Sequence, residues 1–327
     1  MLTSERMVHF GKLPSRGDFV RSAHAPGLID TLDRWLSAGV EALTVDPRWK
    51  ELYDQAGAAR LAILGPRKTL GLVGYLMVSH DASGRRFPFI TAARLEVAEP
   101  LGFLSCCPLA LGRGWSRLAE AAQRAHAAPD ATAVLAELAA AEIEVDSAAS
   151  AYQASLRDFL EMQTVSGLAS MLAQAGHALD IRQLMLGLGL LLQPLPTSGA
   201  RSLAKGLMLP LPADPLYLPL VASLWLDLLS GFVARADFEL VLLLPEPRRG
   251  EAPVALLGFD GASPRTLHAL LDPQVSREIY IDIREAEWVE DHLGQDYAVH
   301  KLSTYLAQSN LSLRQAMSTF KEVFLGS

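Results

Sequence analysis

Apolar residues recur at helical spacing through Leu28, Leu32, Trp35, Leu36, Val40 and Leu43, which predicts an amphipathic helix early in the chain. Asp46-Pro47 then suits a helix start, with Asp46 as N-cap and Pro47 at the first helical position, for a second helix carrying Trp49, Leu52 and Tyr53. Residues 61–64, 69–79 and 87–97 are short apolar runs that predict strands, and Gly84 lends turn freedom to the link at 81–86. A helix over residues 109–126 closes this unit. The Ala-rich stretch 121–151 predicts helix and connector, since Ala favours helix strongly.

The second half repeats the scheme. Helices are expected over 152–163, 165–174 and 181–192, then a strand over 203–209 and a buried helix over 216–233. Residues 238–244 and 254–259 predict a hairpin whose solvated tip spans Pro245, Glu246, Pro247, Arg248, Arg249 and Gly250. Ser263-Pro264 predicts the start of a short helix, residues 278–283 an edge strand, and the chain from Glu285 onward is helical, ending in a helix over 312–324. The fold class is mixed α/β (α+β): two modules, each a small, mostly antiparallel sheet packed with helices, followed by a C-terminal helical tail. The expected division is 1–148 and 149–327.

Half of the 327 residues are hydrophobic and a fifth are charged, enough for sizeable cores. The net charge of −7 and the lack of any basic run longer than the pairs Arg85-Arg86 and Arg248-Arg249 argue against nucleic-acid binding. Cys106 and Cys107 are adjacent, with no metal-ligand spacing around them, so they read as small, half-buried apolar residues near a helix start, in a reducing compartment. Residues 1–8 have no apolar signal core, so a cytoplasmic location is expected. The longest apolar run, 216–233, holds Pro219 and Asp227 and predicts a core helix rather than a membrane span.

Motif searches for an enzyme return nothing: no GxSxG, HExxH or GxGxxG occurs. Asp260-Gly261 echoes the acidic motif of metal-dependent phosphatases but lacks its Gly-Gly-His and further aspartates. No catalytic residue, metal site or cofactor is expected. Two polar constellations stand out instead. The first is Gly11, Lys12, Leu13, Pro14, Ser15, Arg16, Gly17, Asp18 and Phe19, four polar side chains set among Gly and Pro breakers, as in a recognition or bracing loop. The second holds Ser79, Asp81, Gly84, Arg85, Phe87 and Pro88, in which Asp81 can accept backbone N–H bonds in a tight turn. Asp18 is expected to accept backbone N–H bonds or to pair with Arg16 or Arg85; those two arginines are the candidate interface charges.

Together the segments resemble the TagF/ImpM family of type VI secretion-associated proteins. That family's pattern Gly-Lys-Leu-Pro-x-Arg-Gly-Asp-Phe stands whole at residues 11–19, and Ser-x-Asp-x-x-Gly-Arg-x-Phe-Pro stands at 79–88. Asp33-Arg34-Trp35-Leu36 and the helix with Trp49 and Tyr53 follow the same pattern. Beyond residue 125 only partial echoes occur, Gly206-Leu207-Met208 and Leu224-Trp225-Leu226. The resemblance implies a non-enzymatic cytoplasmic factor that represses type VI secretion after translation by binding a forkhead-associated-domain scaffold protein. Residues 1–148, which carry both motifs, are expected to bind it at least in part alone. The alternatives are an enzyme using the 12–18 loop and an assembly factor tethered to the inner membrane.

Overall fold

The computed structural model describes residues 2–198, 203–248, 250–294 and 296–326. The chain begins with strands β1 (Leu2–Arg6), β2 (Val8–Gly11) and β3 (Val20–Arg21), then helices α1 (Pro26–Leu43) and α2 (Trp49–Gln55). The meander β4 (Ala59–Leu64), β5 (Leu70–Met77) and β6 (Phe89–Glu96) leads into the long helix α3 (Pro100–Ala127), α4 (Thr132–Ala140) and β7 (Glu142–Asp146). Helices α5 (Ser150–Met162), α6 (Val165–Gln174), α7 (Ile181–Leu192) and α8 (Leu195–Ser198) precede β8 (Gly206–Pro210) and α9 (Leu218–Val233). Then come β9 (Leu240–Pro245), β10 (Val254–Gly258), α10 (Pro264–Leu271), α11 (Pro273–Ile279) and β11 (Tyr280–Asp282). A 3-10 turn over Glu287–His292 and helices α12 (Tyr297–Leu306) and α13 (Leu313–Leu325) complete the described chain.

Sheet pairing crosses the expected division at 148. Among the described residues, nine strands form one sheet in the order β11-β8-β10-β9-β4-β5-β6-β2-β3. Its middle seam is β4 with β9, antiparallel from Ala59 opposite Pro245 to Leu64 opposite Leu240. The pairings are antiparallel except β11 with β8. The β9–β10 hairpin forms as expected, though Arg249 of its tip lies outside the described residues.

The sheet is covered on both faces, which explains why its central strands are continuous apolar runs rather than alternating ones. Leu61, Ile63, Val241, Leu243, Ile90 and Ala92 turn to one core, shared with Ile29, Leu32, Trp35, Leu36 and Leu267 of α1 and α10. Ala62, Leu64, Leu240, Leu242, Phe89 and Ala93 turn to the other, larger core under α3, α9 and the C-terminal helices. Helix α1 lies tight on α10: a Cβ at Gly39 would meet Leu267 at 2.5 Å, and the Trp35 indole N–H donates to Ser263 O at 2.9 Å.

The helical tail is part of the core. Phe320 and Phe324 pack on Phe232 of α9, and the Lys321 ammonium lies 2.7 Å from Asp227, which accounts for the one acid in the long apolar run. No helix among the described residues is long and apolar enough to cross a membrane.

Four local expectations change. Helix α3 starts at Pro100 and runs through Pro108, because burial against the sheet and α9 outweighs one missing hydrogen bond. Asp46 caps nothing: its carboxylate takes the Arg48 N–H at 2.7 Å in a turn, and α2 begins at Trp49. Pro47 accordingly stands ahead of the helix rather than at its first position. The Ala-rich stretch ends in β7, which pairs with β1 as a separate two-stranded ribbon.

Candidate protein-interaction site

Strand β2 pairs with β6, which sets Gly11 opposite Phe89 and the first motif against the end of the second. Gly11 sits at φ +131°, and a Cβ there would stand 2.0 Å from Pro88 O, so this backbone approach admits only glycine. The chain then turns inward at Lys12, whose buried ammonium lies 2.9 Å from the carboxylate of Asp81.

Asp81 is the hub that joins the two motifs. It is fully buried, at 0% exposure. One oxygen accepts the Ser83 N–H at 3.0 Å, the Ser83 hydroxyl at 2.7 Å and the Arg85 N–H at 3.0 Å. The other takes Lys12 at 2.9 Å and the Arg85 guanidinium at 2.7 Å. Burial by itself would raise this carboxyl, but the bonds from Ser83, Lys12 and Arg85 outweigh it and hold the group well below the usual carboxylate range. Gly84, at φ +79°, lets the turn close around the carboxylate.

Further bonds clasp the loops. Arg85 also donates to Gly17 O at 2.7 Å, the Ala82 N–H to Arg16 O at 2.7 Å, and the Ser79 hydroxyl to Lys12 O at 2.7 Å. Below them the Tyr53 hydroxyl donates to Ser79 O and accepts the Ser79 N–H, both at 3.0 Å. Arg16 reaches away, to Asp130 at 3.2 Å and to the Thr132 hydroxyl at the start of α4. The second-motif Phe87 is buried, Leu13 is fully buried and Pro14 is half-buried. Ser15 Oγ is buried without a hydrogen-bond partner among the described residues.

Most of the expected site residues therefore brace one another. Arg16 and Arg85 are engaged within the molecule, and Asp18 pairs with neither. It stands exposed and, among the described residues, accepts only the neighbouring Phe19 N–H, at 2.8 Å. The role expected of Asp18 falls to Asp81, the residue of the second motif that can be buried because two cations reach it.

What the brace presents is Phe19. It remains 43% exposed, stacked on Phe10 at 5.7 Å and edge-on to Phe87 at 4.8 Å, with the Lys12 ammonium 5.0 Å from its ring centre. Next to it a groove of about 550 Å³ runs between β3 and α4, lined by residues 16–23, His9, Thr132, Leu135, Ala136 and Ala139. His9 lies buried in its floor with Ser22 Oγ 3.0 Å from its Nδ1. Burial and the neighbouring His24 lower its pKa from 6.5 to about 4, so it is neutral near pH 7. Sequence reasoning missed Arg21, Leu135 and Ala136, which no motif contains. Among the described residues no group of three His, Cys, Asp or Glu side chains could hold a metal ion. The thiols of Cys106 and Cys107 are buried, and burial pushes the first up to about 12.

A sheet covered on both faces, with two distant motifs locked into one brace beneath an exposed aromatic side chain, defines an α/β protein with a braced surface loop. Residues 8–141 match the family model of the TagF N-terminal domain, type VI secretion system-associated. Both motifs and the whole groove fall inside that span. The crystal structure of PA0076 from Pseudomonas aeruginosa PAO1 is similar at 16% identity, over 82% of this chain and 94% of that one, with a TM-score of 0.45, too low for residue correspondence. No curated protein matches the chain.

Proposed function

We propose that this accessory protein of a type VI secretion system is a non-enzymatic, cytoplasmic repressor that acts after translation by occupying a forkhead-associated-domain scaffold protein. The observation that carries the reading is the built setting of Phe19. An aromatic side chain left open to solvent yet fixed from beneath by Phe10, Phe87 and Lys12 is a preorganised anchor for a protein partner. Lys12, Ser79, Asp81 and Arg85 support it, because their polar atoms are engaged in bracing the loop beneath that anchor and not aimed at a substrate. The TagF N-terminal match supports the reading, because Phe19 falls inside the matched secretion-associated domain.

The test is an affinity pull-down from the native host with the wild-type chain and with Phe19→Asp. The scaffold should co-purify with the first and be lost with the second, while the melting temperature of Phe19→Asp stays close to wild type. Equal recovery of the scaffold by both chains, or its recovery by neither, would refute the reading.

A further inference from the structure

Strand β3 is the last strand of the nine-stranded sheet, so one side of it has no neighbouring strand among the described residues. The hydrogen-bond parity of that edge follows from the contacts of β2. The Ser22 N–H donates to His9 O at 3.0 Å, which makes His9/Ser22 and Gly11/Val20 the bonded pairs of the ladder. Arg21, opposite Phe10, is the residue between them and turns its own N–H and C=O away from β2. The groove described above lies along this edge, with α4 as its far wall.

A strand edge facing a helix across a groove is the geometry by which extended peptides add to a sheet. Main-chain bonds hold such a peptide, and its alternate side chains enter the groove. Leu135, Ala136 and Ala139 give that wall an apolar, small-residue surface that leaves room for them. The charge around the edge selects further. Residues 8–25 hold Lys12, Arg16 and Arg21 against the single acid Asp18, a local excess of two positive charges on a chain of net charge −7. Lys12 and Arg16 already have carboxylate partners, Asp81 and Asp130. Arg21 is exposed and has no ion pair among the described residues, so it is the charge left for an incoming carboxylate. A bare two-residue edge with one cation also discourages indiscriminate pairing, which suits a site that selects its strand.

We infer that the β3–α4 groove binds an extended, acidic segment of a partner polypeptide by strand addition, with main-chain bonds to Arg21 and a carboxylate on its guanidinium. This deepens the accessory-protein reading and rests on it only for the occupant being a protein partner.

The probe is a fluorescein-labelled eight-residue peptide of alternating valine and glutamate, titrated onto the full chain. It should bind, and the same peptide with alternate amides N-methylated, or with lysine for glutamate, should bind at least about tenfold more weakly. Arg21→Gln should weaken binding severalfold by removing the charge. Arg21→Pro should weaken it about tenfold more by removing the outward N–H, while the edge position tolerates proline. Hydrogen exchange on the wild-type chain gives a readout that needs no variant: the Arg21 amide should exchange fast alone and be protected by the peptide.

No binding up to about 1 mM, equal binding of the N-methylated peptide, or binding without protection of Arg21 would overturn the inference. A wild-type chain that dimerises through this edge and excludes the peptide would overturn the assignment to a partner as well. Peptide binding without any effect of the protein on secretion would sink the repressor reading and leave the groove standing. Control of secretion with no peptide binding would do the reverse.

Discussion

Asp81 and Asp18 make the contrast at the scale of single residues. Both stand in the motifs: the sequence predicts backbone N–H bonds to Asp81 in a tight turn, and backbone bonds or an arginine partner for Asp18. Burial separates them: Asp81 has no exposed surface and two cations, whereas Asp18 stands in water. Asp81→Ala should therefore lower the urea midpoint clearly, while Asp18→Ala should change stability by no more than about 0.5 kcal/mol. Equal effects in equilibrium unfolding would contradict the brace. Tyr53→Phe tests its lower tier. It strips both bonds from the buried Ser79 backbone and should cost about 1–3 kcal/mol in the same measurement.

His9 gives the residue scale a pH dependence. Its folded pKa of about 4 lies below 6.5, so between those values the unfolded chain holds a proton that the folded chain does not. Stability is then complete above pH 6.5 and falls as pH drops toward 4, with about 3 kcal/mol as the full contribution of this group. Half-buried His126 and buried His177 are lowered too and add to the same limb. In His9→Gln the urea midpoint should fall less between pH 7 and 4.5 than in wild type; an identical fall would contradict the assignment.

At the scale of elements, strong periodicity was readable. The helices expected over 165–174 and 181–192 appear as Val165–Gln174 and Ile181–Leu192, and the apolar runs became β4, β5, β6, β9 and β10. The misses have local causes. Glu142-Ile143-Glu144-Val145-Asp146 alternates as a strand should, with Ile143 and Val145 buried, but the Ala-rich neighbourhood hid it. Strand β3 is too short for any period, and it carries the groove. The helix expected over 109–126 begins at Pro100 instead, because packing overrules the local penalty of Pro108 inside it. Gly11 shows the opposite case, a motif glycine whose need is visible only when β2 meets Pro88. Gly11→Ala should cost more than about 2 kcal/mol, from the positive φ and the clash, by thermal or urea unfolding.

At the scale of the whole molecule, the halves share a sheet that the sequence could not reveal, because register between strands nearly two hundred residues apart leaves no local signal. Cutting at 148 would bare β4, an apolar edge from Ala59 to Leu64, and uncover the face of α1 that holds α10. The fragment 1–148 should therefore be aggregated or oligomeric by size-exclusion chromatography, whatever binding residues it retains. A monomeric fragment with cooperative unfolding would show that the seam is dispensable.

The proposed stoichiometric occupancy also belongs to the scale of the whole molecule, and it separates a repressor from a catalyst. A binder acts in proportion to the fraction of its partner bound, while an enzyme acts at trace levels. The most direct measurement is export of the system's tube protein, titrated against the cellular abundance of this chain in a host whose system is active. The account predicts a graded fall in export that reaches completion near equivalence with the scaffold, and raised or untriggered export on deletion. Export that ignores both deletion and overproduction, or that stops fully at trace abundance, would contradict it.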